Sequence, residues 1–266
     1  GQREPPPDAL VIQGDGRVVM PALIDMHVHV LQEADLRAYA AHGVGTVRNM
    51  WGSAAVQRYA TEIDNGTRFG PKIYSASPGL DAPPAQWPGT QFLTSPDSAT
   101  VVVDRQKAAG WTFLKVYTKL EPAVFQAVMR SAREAGIPAV GHVPLAVDVR
   151  LALQEGIASI EHLSGYDRAV SRTRRSGTWG WADADPSLFA SLAASTRDAE
   201  TWNCPTLAIY ARLAEQHPPD ERPRIIANRR LFVKALHTAG AGILAGTDAG
   251  IGTVAPGSSL HDELAE

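Results

Sequence analysis

The sequence predicts an α/β fold, a (β/α)8 TIM barrel carrying remnants of a small flanking β-sandwich. Three observations lead there. Apolar, β-branched segments alternate with helical ones along the chain, which argues for a parallel sheet. The length of 266 residues suits a barrel that alone takes ~250. Histidine, lysine and aspartate stand at the ends of several predicted strands, the rim on which such barrels build their sites. An open doubly wound sheet also alternates, and the third observation separates the two.

The elements follow in order. A β-branched run from Arg17 to Val30 predicts the first strand, and Glu33 to His42 a helix closed by Gly43. Val44 to Trp51 predicts the second strand. Ser53 is placed to cap a helix that runs to Asn65 and ends at Gly66. Lys72 to Ser77 is the third strand, Pro96 to Ala109 the third helix and Trp111 to Thr118 the fourth strand. The fourth helix is the clearest, with Pro122 in its first turn, Gly136 past its end, and Val124, Phe125, Val128 and Ala132 on one face. Ile137 to Val143 is the fifth strand, Leu145 to Gln154 a short helix, and Ala158 to Leu163 the sixth strand. A helix starts after Asp185-Pro186. Trp202 to Tyr210 is the seventh strand, Arg222 to Ala239 the next helix, and Gly242 to Thr247 the eighth strand. Two insertions break the rhythm, Pro78 to Pro96 and Ser164 to Asp185. Both follow strands, which puts them on the catalytic face of a barrel.

Composition excludes several classes. Hydrophobic residues make up 44% and charged residues 20%, close to the globular average and unlike a disordered chain. The formal charge of -3 lacks the basic excess of a nucleic-acid binder. No apolar run approaches the ~18 residues of a membrane span. Cys204 is the single cysteine, so neither an internal disulfide nor a cysteine-based zinc knuckle is expected. No signal peptide is visible, and Gly1 to Asp8 reads as a trimmed start or a loop. A lone cysteine favours the cytoplasm, with a periplasmic or secreted location left open.

Five motifs carry chemistry. Asp25-Met-His27-Val-His29 sets two imidazoles one strand period apart, on one side of the strand, where both can grip one ion. Phe113-Leu-Lys115-Val-Tyr117 buries a lysine in an apolar strand. Such an amine is either paired with a carboxylate or has a lowered pKa that lets it react with carbon dioxide. Val140-Gly-His142-Val-Pro144 and Ser159-Ile-Glu-His162-Leu163 each end a strand on a histidine. Leu244-Ala-Gly-Thr247-Asp248-Ala-Gly250 releases an aspartate between glycines, suited to a metal ligand and proton acceptor or to capping a turn. Each motif alone has an ordinary structural explanation. Together, in chain order, they converge on one rim of a closed barrel.

The order of these motifs resembles the amidohydrolase superfamily. Lys-Val-Tyr, Gly-His-Val-Pro and Ile-Glu-His-Leu between Leu114 and Leu163 look like the imidazolonepropionase-related and prolidase-like members. The resemblance implies two divalent metal ions, with zinc the default and manganese or cobalt alternatives. It implies that His27, His29 and Asp248 hold the more buried ion and that His142 and His162 hold the second. A carbamate on Lys115 and a hydroxide would bridge them. Imidazolonepropionases use one metal and lack the bridging lysine, so Lys115 argues against that activity. Residues 1–20 would be the remnant of a small β-sandwich and lead-in, with Leu10 to Met20 the part that belongs to it. Residues 21–266 would be the hydrolase barrel, apparently truncated where an eighth helix begins.

The implied reaction is metal-assisted hydrolysis of an amide C–N bond in a small carboxylated substrate, such as a dipeptide or N-acyl amino acid. Asp248 would shuttle the proton, and Tyr117 would either donate to the developing oxyanion or serve as an aromatic rim residue. Alternatives are an ester, lactone or phosphotriester hydrolase with the same metals, or a non-catalytic barrel. The expected partner is a small-molecule substrate, with neither nucleic acid nor membrane, and a homo-oligomer is compatible. Trp51, Trp87, Tyr166, Trp179 and Trp181 are candidates to line a pocket. Arg48, Arg168 and Arg172 are candidates to hold a substrate carboxylate. His42, His217, His237 and His261 read as structural, and Cys204 as packed.

Overall fold

The computed structural model describes residues 4–252 and 254–266. The elements run β1 (Leu23–Val28), α1 (Glu33–Ala41), β2 (Val44–Asn49), α2 (Ala54–Asp64), β3 (Lys72–Ser75), β4 (Leu80–Asp81), β5 (Gln91–Phe92) and α3 (Ala99–Ala108). Next come β6 (Leu114–Val116), α4 (Pro122–Ala135), β7 (Ala139–Gly141), α5 (Val149–Gln154) and β8 (Ser159–Glu161). The insertion after β8 forms α6 (Tyr166–Val170) and α7 (Thr178–Ala182). The chain continues through α8 (Phe189–Asp198), β9 (Trp202–Cys204), α9 (Leu207–Ala214), α10 (Arg222–Ala239) and α11 (Ser258–Ala265).

The strands form two parallel sheets, β1-β2-β3 and β5-β4-β6-β7-β8-β9. Single bridges join them. Ala76 pairs with Phe113 between β3 and β6, and Ser77 N–H donates to the Phe113 carbonyl. On the far side, Asn203 pairs with Ile243 and Val28 with Ala249. Gly242 to Thr247, expected as the eighth strand, is therefore extended chain held by isolated bridges rather than a regular strand. Gly246 explains the close packing there, because a Cβ on it would collide with the His27 backbone and Cys204 Sγ.

Helices cover the sheets. Phe125, Val128, Phe232 and Leu236 pack with Leu114 and Val116 in the larger core. Leu36, Tyr39, Val47, Ile73 and Leu260 form the smaller one beneath β1 and β2. The start and stop signals in the sequence work as expected. Ser53 Oγ accepts Val56 N–H at α2, and Gly136 ends α4 at φ 66, a left-handed conformation that a Cβ disfavours.

Three further expectations change. The first strand is only Leu23–Val28; residues 10–20 form no strand, and Leu10 and Val19 are 88% and 96% exposed. An apolar run predicts burial, but nothing among the described residues packs on this one. The seventh strand stops at Cys204, and Leu207 to Tyr210 is helix. Thr206 turns left-handed at φ 50, and Glu263 accepts the Leu207 and Ala208 N–H groups at 2.9 and 2.7 Å, capping α9 from α11. A carboxylate from that far along the chain leaves no local signal. Finally, Ser258–Ala265 is helical. Among the described residues no helix is long and apolar enough to cross a membrane.

Candidate metal centre

The predicted side chains meet at the C-terminal ends of the parallel strands. Asp248 Oδ1 lies 3.2 Å from His27 Nε2 and 3.0 Å from His29 Nε2. Nitrogens of His27 and His162 and an oxygen of Asp248 all lie within 4.8 Å of one another. The His162 ring stands 4.5 Å from His27 and 4.9 Å from His142, centroid to centroid. His142 in turn stacks on Tyr117 at 4.5 Å. Lys115 is buried in β6 and its backbone N–H donates to Ser77 Oγ at 3.1 Å; its Nζ lies 5.9 Å from the Tyr117 ring and has no hydrogen bond or ion pair among the described residues.

Backbone geometry aims several of these groups. Alternation puts Glu161 and His162 on opposite faces of a strand. His162, however, sits at φ 62 and Leu163 at φ 56, so the chain turns and His162 faces the same interior as Glu161. Asp248 is likewise left-handed at φ 61. Such conformations cost energy in non-glycine residues and gather at functional sites. Before His142, Gly141 at φ 138 leaves room for the Val116 carbonyl, which a Cβ would strike.

Behind the ligands lies a second set of residues. His27 Nδ1 is 2.7 Å from Glu161 Oε2. Glu161 also accepts Arg48 Nη2 at 2.9 and 3.0 Å, while Arg48 donates to the Met26 carbonyl at 2.6 Å and to Ser159 Oγ at 2.8 Å. Asp25 accepts Thr247 Oγ1 at 2.7 Å and Thr247 N–H at 3.1 Å, tying the chain before Asp248 to β1. Thr206 Oγ1 donates to the Pro205 carbonyl, so it accepts His162 Nδ1–H, 2.8 Å away. Both imidazoles thus carry a proton on Nδ1 and turn the Nε2 lone pair toward the site.

The electrostatics divide these imidazoles. Burial opposes the His27 imidazolium, but Asp248 and Glu161 outweigh it and raise His27. Burial, joined by Lys115, pushes His142 well down, and burial takes His162 to about 3. These two are neutral imidazoles at physiological pH, the form that binds metal. Burial lowers Lys115 to about 8. Burial alone would raise Glu161, yet Arg48 and His27 hold it far below the usual carboxylate range.

The residues fit a divalent cation. His27 Nε2 and Asp248 Oδ1 are buried and face each other at 3.2 Å without forming a well-aligned hydrogen bond, an arrangement that a cation between them would complete. Imidazole nitrogens with a carboxylate are a donor set for zinc and its neighbours. A second cluster, His27, Glu161 and Cys204, fits less well. Its imidazole nitrogen already donates to Glu161, and burial holds Cys204 as a thiol.

Some candidates fall elsewhere. Arg48 is buried beneath the ligands and paired with Glu161, so it cannot meet a substrate carboxylate. Arg168 donates to the Pro144 and Val147 carbonyls, and Arg172 is exposed beside Asp185. Tyr166 and Trp181 pack against Phe232 in the core, and Trp179 stacks on His217. Trp51 and Trp87 do border the site. Trp51 meets the Tyr117 ring edge-on at 5.2 Å, and Trp87 Nε1 donates to Tyr117 Oη at 2.7 Å. His217 is buried against Thr178, and His261 bonds the His42 carbonyl, both away from the site. Sequence reading passed over Glu161, Arg48 as its partner, Asp25 and Thr206. Only Asp25 left a signal, since it continues the period-two series of His27 and His29.

No family model and no curated relative matches the chain. Solved structures do. Bottromycin amidohydrolase is 30% identical, over 92% of this chain and 62% of its own, with a TM-score of 0.74. A Xaa-Pro dipeptidase with methionine bound in its active site is 17% identical, over 92% and 70%, at 0.65. The ochratoxinase of A. niger is 16% identical, over 92% and 66%, at 0.64. The last two likenesses concern the fold alone. The chain spans less than two thirds of the length of bottromycin amidohydrolase.

Proposed function

We propose that this chain, which belongs to the amidohydrolase superfamily, is a metal-dependent hydrolase cleaving an amide C–N bond in a small carboxylated substrate such as a dipeptide or N-acyl amino acid. The observation that carries the reading is the convergence of His27 Nε2 and His29 Nε2 on Asp248 Oδ1, each within 3.2 Å of it, in a buried site with the His162 and His142 imidazoles beside them. A (β/α)8 barrel is the architecture we infer. Its support is the Gly242 to Ala249 segment, which hydrogen-bonds β9 on one side and β1 on the other.

His27, His29 and Asp248 would hold one ion, and His142 and His162 the second, with zinc the default and manganese or cobalt the alternatives. Lys115 would bridge them as a carbamate. A buried amine with a pKa lowered to about 8 supports this, because its neutral fraction is the form that takes up carbon dioxide. Bound divalent cations would supply an acidified water and polarise the scissile carbonyl. Asp248 accepts the proton of the attacking water and returns it to the leaving amine. Tyr117 Oη accepts from Trp87, which leaves its own proton free to donate to the oxyanion. Burial raises that phenol to about 12, so it keeps its proton at neutral pH. Glu161 and Thr206 hold the imidazoles in the required tautomer.

The test is metal analysis combined with a substrate panel. Protein supplied with bicarbonate and zinc, manganese or cobalt should retain ions stoichiometrically and hydrolyse dipeptides or N-acyl amino acids. Turnover of esters, lactones or phosphotriesters alone would move the assignment to those classes. Failure to retain any ion would point to a non-catalytic barrel.

A further inference from the structure

We propose that the cavity beside His29 receives an uncharged, flat apolar substituent of the substrate amide, of about the size of one aromatic ring. This inference rests on the hydrolase reading of the adjoining centre and names the part of the substrate that decides which amides are taken.

The cavity measures about 350 Å³, at the small end of ligand sites. Its walls include Trp51, Trp87, Pro88 and Ile251, and its inner edge is His29. Among the described residues no lysine, arginine or carboxylate lines it; of these residues His29 is the one titratable side chain, and its ring nitrogen faces Asp248. The polar edges of both indoles are already engaged, Trp51 Nε1 with the Pro88 carbonyl at 2.9 Å and Trp87 Nε1 with Tyr117 Oη. What remains toward the cavity is ring carbon. A charged substituent entering here would lose water and gain no counter-charge, whereas a ring would exchange hydration for stacking on indole. The carboxylate of the substrate therefore points out of this cavity.

The wall is held in place. Asn49 donates to the Trp51 carbonyl at 2.8 Å and accepts Val30 N–H at 2.9 Å. Gly79 lies flat against the Trp51 six-membered ring, and a Cβ there would overlap it. Gly79 is thus a positioning residue for the wall and touches none of the proposed ligands.

Binding of 4-fluorobenzamide and of fluoroacetamide to metal-supplied protein, followed by fluorine NMR, tests this apart from turnover. The aromatic amide should bind on the order of tenfold more tightly or better. Trp51→Ala should remove that advantage, with metal content unchanged. Should Trp51→Ala misfold, Gly79→Ala, which displaces the same ring, should also weaken 4-fluorobenzamide selectively. Equal affinity for the two amides in wild type, or an advantage that survives in both variants, overturns the proposal. Discrimination between the probes by a protein that retains no metal would sink the hydrolase reading and leave the cavity assignment standing. An active metalloenzyme that fails to discriminate would do the reverse.

Discussion

Glu161 Oε2 stands 2.7 Å from His27 Nδ1 while the same carboxylate accepts Arg48 from the other side, so one buried anion orients a proposed ligand and neutralises a buried guanidinium. All three side chains are almost wholly buried. Glu161→Gln keeps the shape and removes the charge. Metal affinity should fall about 10–100-fold, the usual cost of losing such a support. Arg48 is left without its counter-ion, and stability should drop by about 3–5 kcal/mol. Metal titration and thermal unfolding measure the two effects, and an unchanged affinity would deny Glu161 its orienting role.

Asp248 occupies a left-handed backbone position at φ 61, which asparagine tolerates better than most residues. Asp248→Asn should therefore fold normally. An amide cannot accept the proton, and turnover should fall about 10²–10⁴-fold. Circular dichroism and amide hydrolysis assays on the same sample check both halves, and a variant as active as wild type would assign the shuttle elsewhere.

Lys115 has its amine pushed down to about 8 by burial. Protein equilibrated with carbon-13 bicarbonate should show a carbamate carbon resonance that Lys115→Met lacks. The same substitution should abolish stoichiometric loading of a second ion. Identical spectra from the two proteins would remove the carbamate from the account.

Glu263 gives a pH dependence outside the metal centre. Burial raises its carboxyl to about 7 against the stabilising Leu207 and Ala208 N–H groups. With the folded pKa above the unfolded one, the native state binds more protons between pH ~4.5 and ~7. Stability from this group is thus full below that window and declines as pH rises through it. The upper bound is about 3 kcal/mol. Replacing it by Gln should flatten this part of the profile, as read from unfolding midpoints at pH 5, 6 and 7.5. Parallel curves for the two proteins would contradict the assignment.

The alternation of elements, the α4 signals at Pro122 and Gly136 and the ligand types at strand ends are local or periodic properties, and the sequence alone determined them. His27 and His29 share a face because strand side chains repeat every two residues. What tertiary structure decided depends on groups far apart in the chain. The turn at His162 that brings it beside Glu161 and the long-range cap from Glu263 that converts Leu207 to Tyr210 into helix follow from contacts no short window contains. Arg48 read as a substrate cation because its partner, Glu161, lies 113 positions away. The bareness of Leu10 to Met20 also belongs to the fold, since hydrophobic patterning records a preference for burial and not whether a covering surface is present.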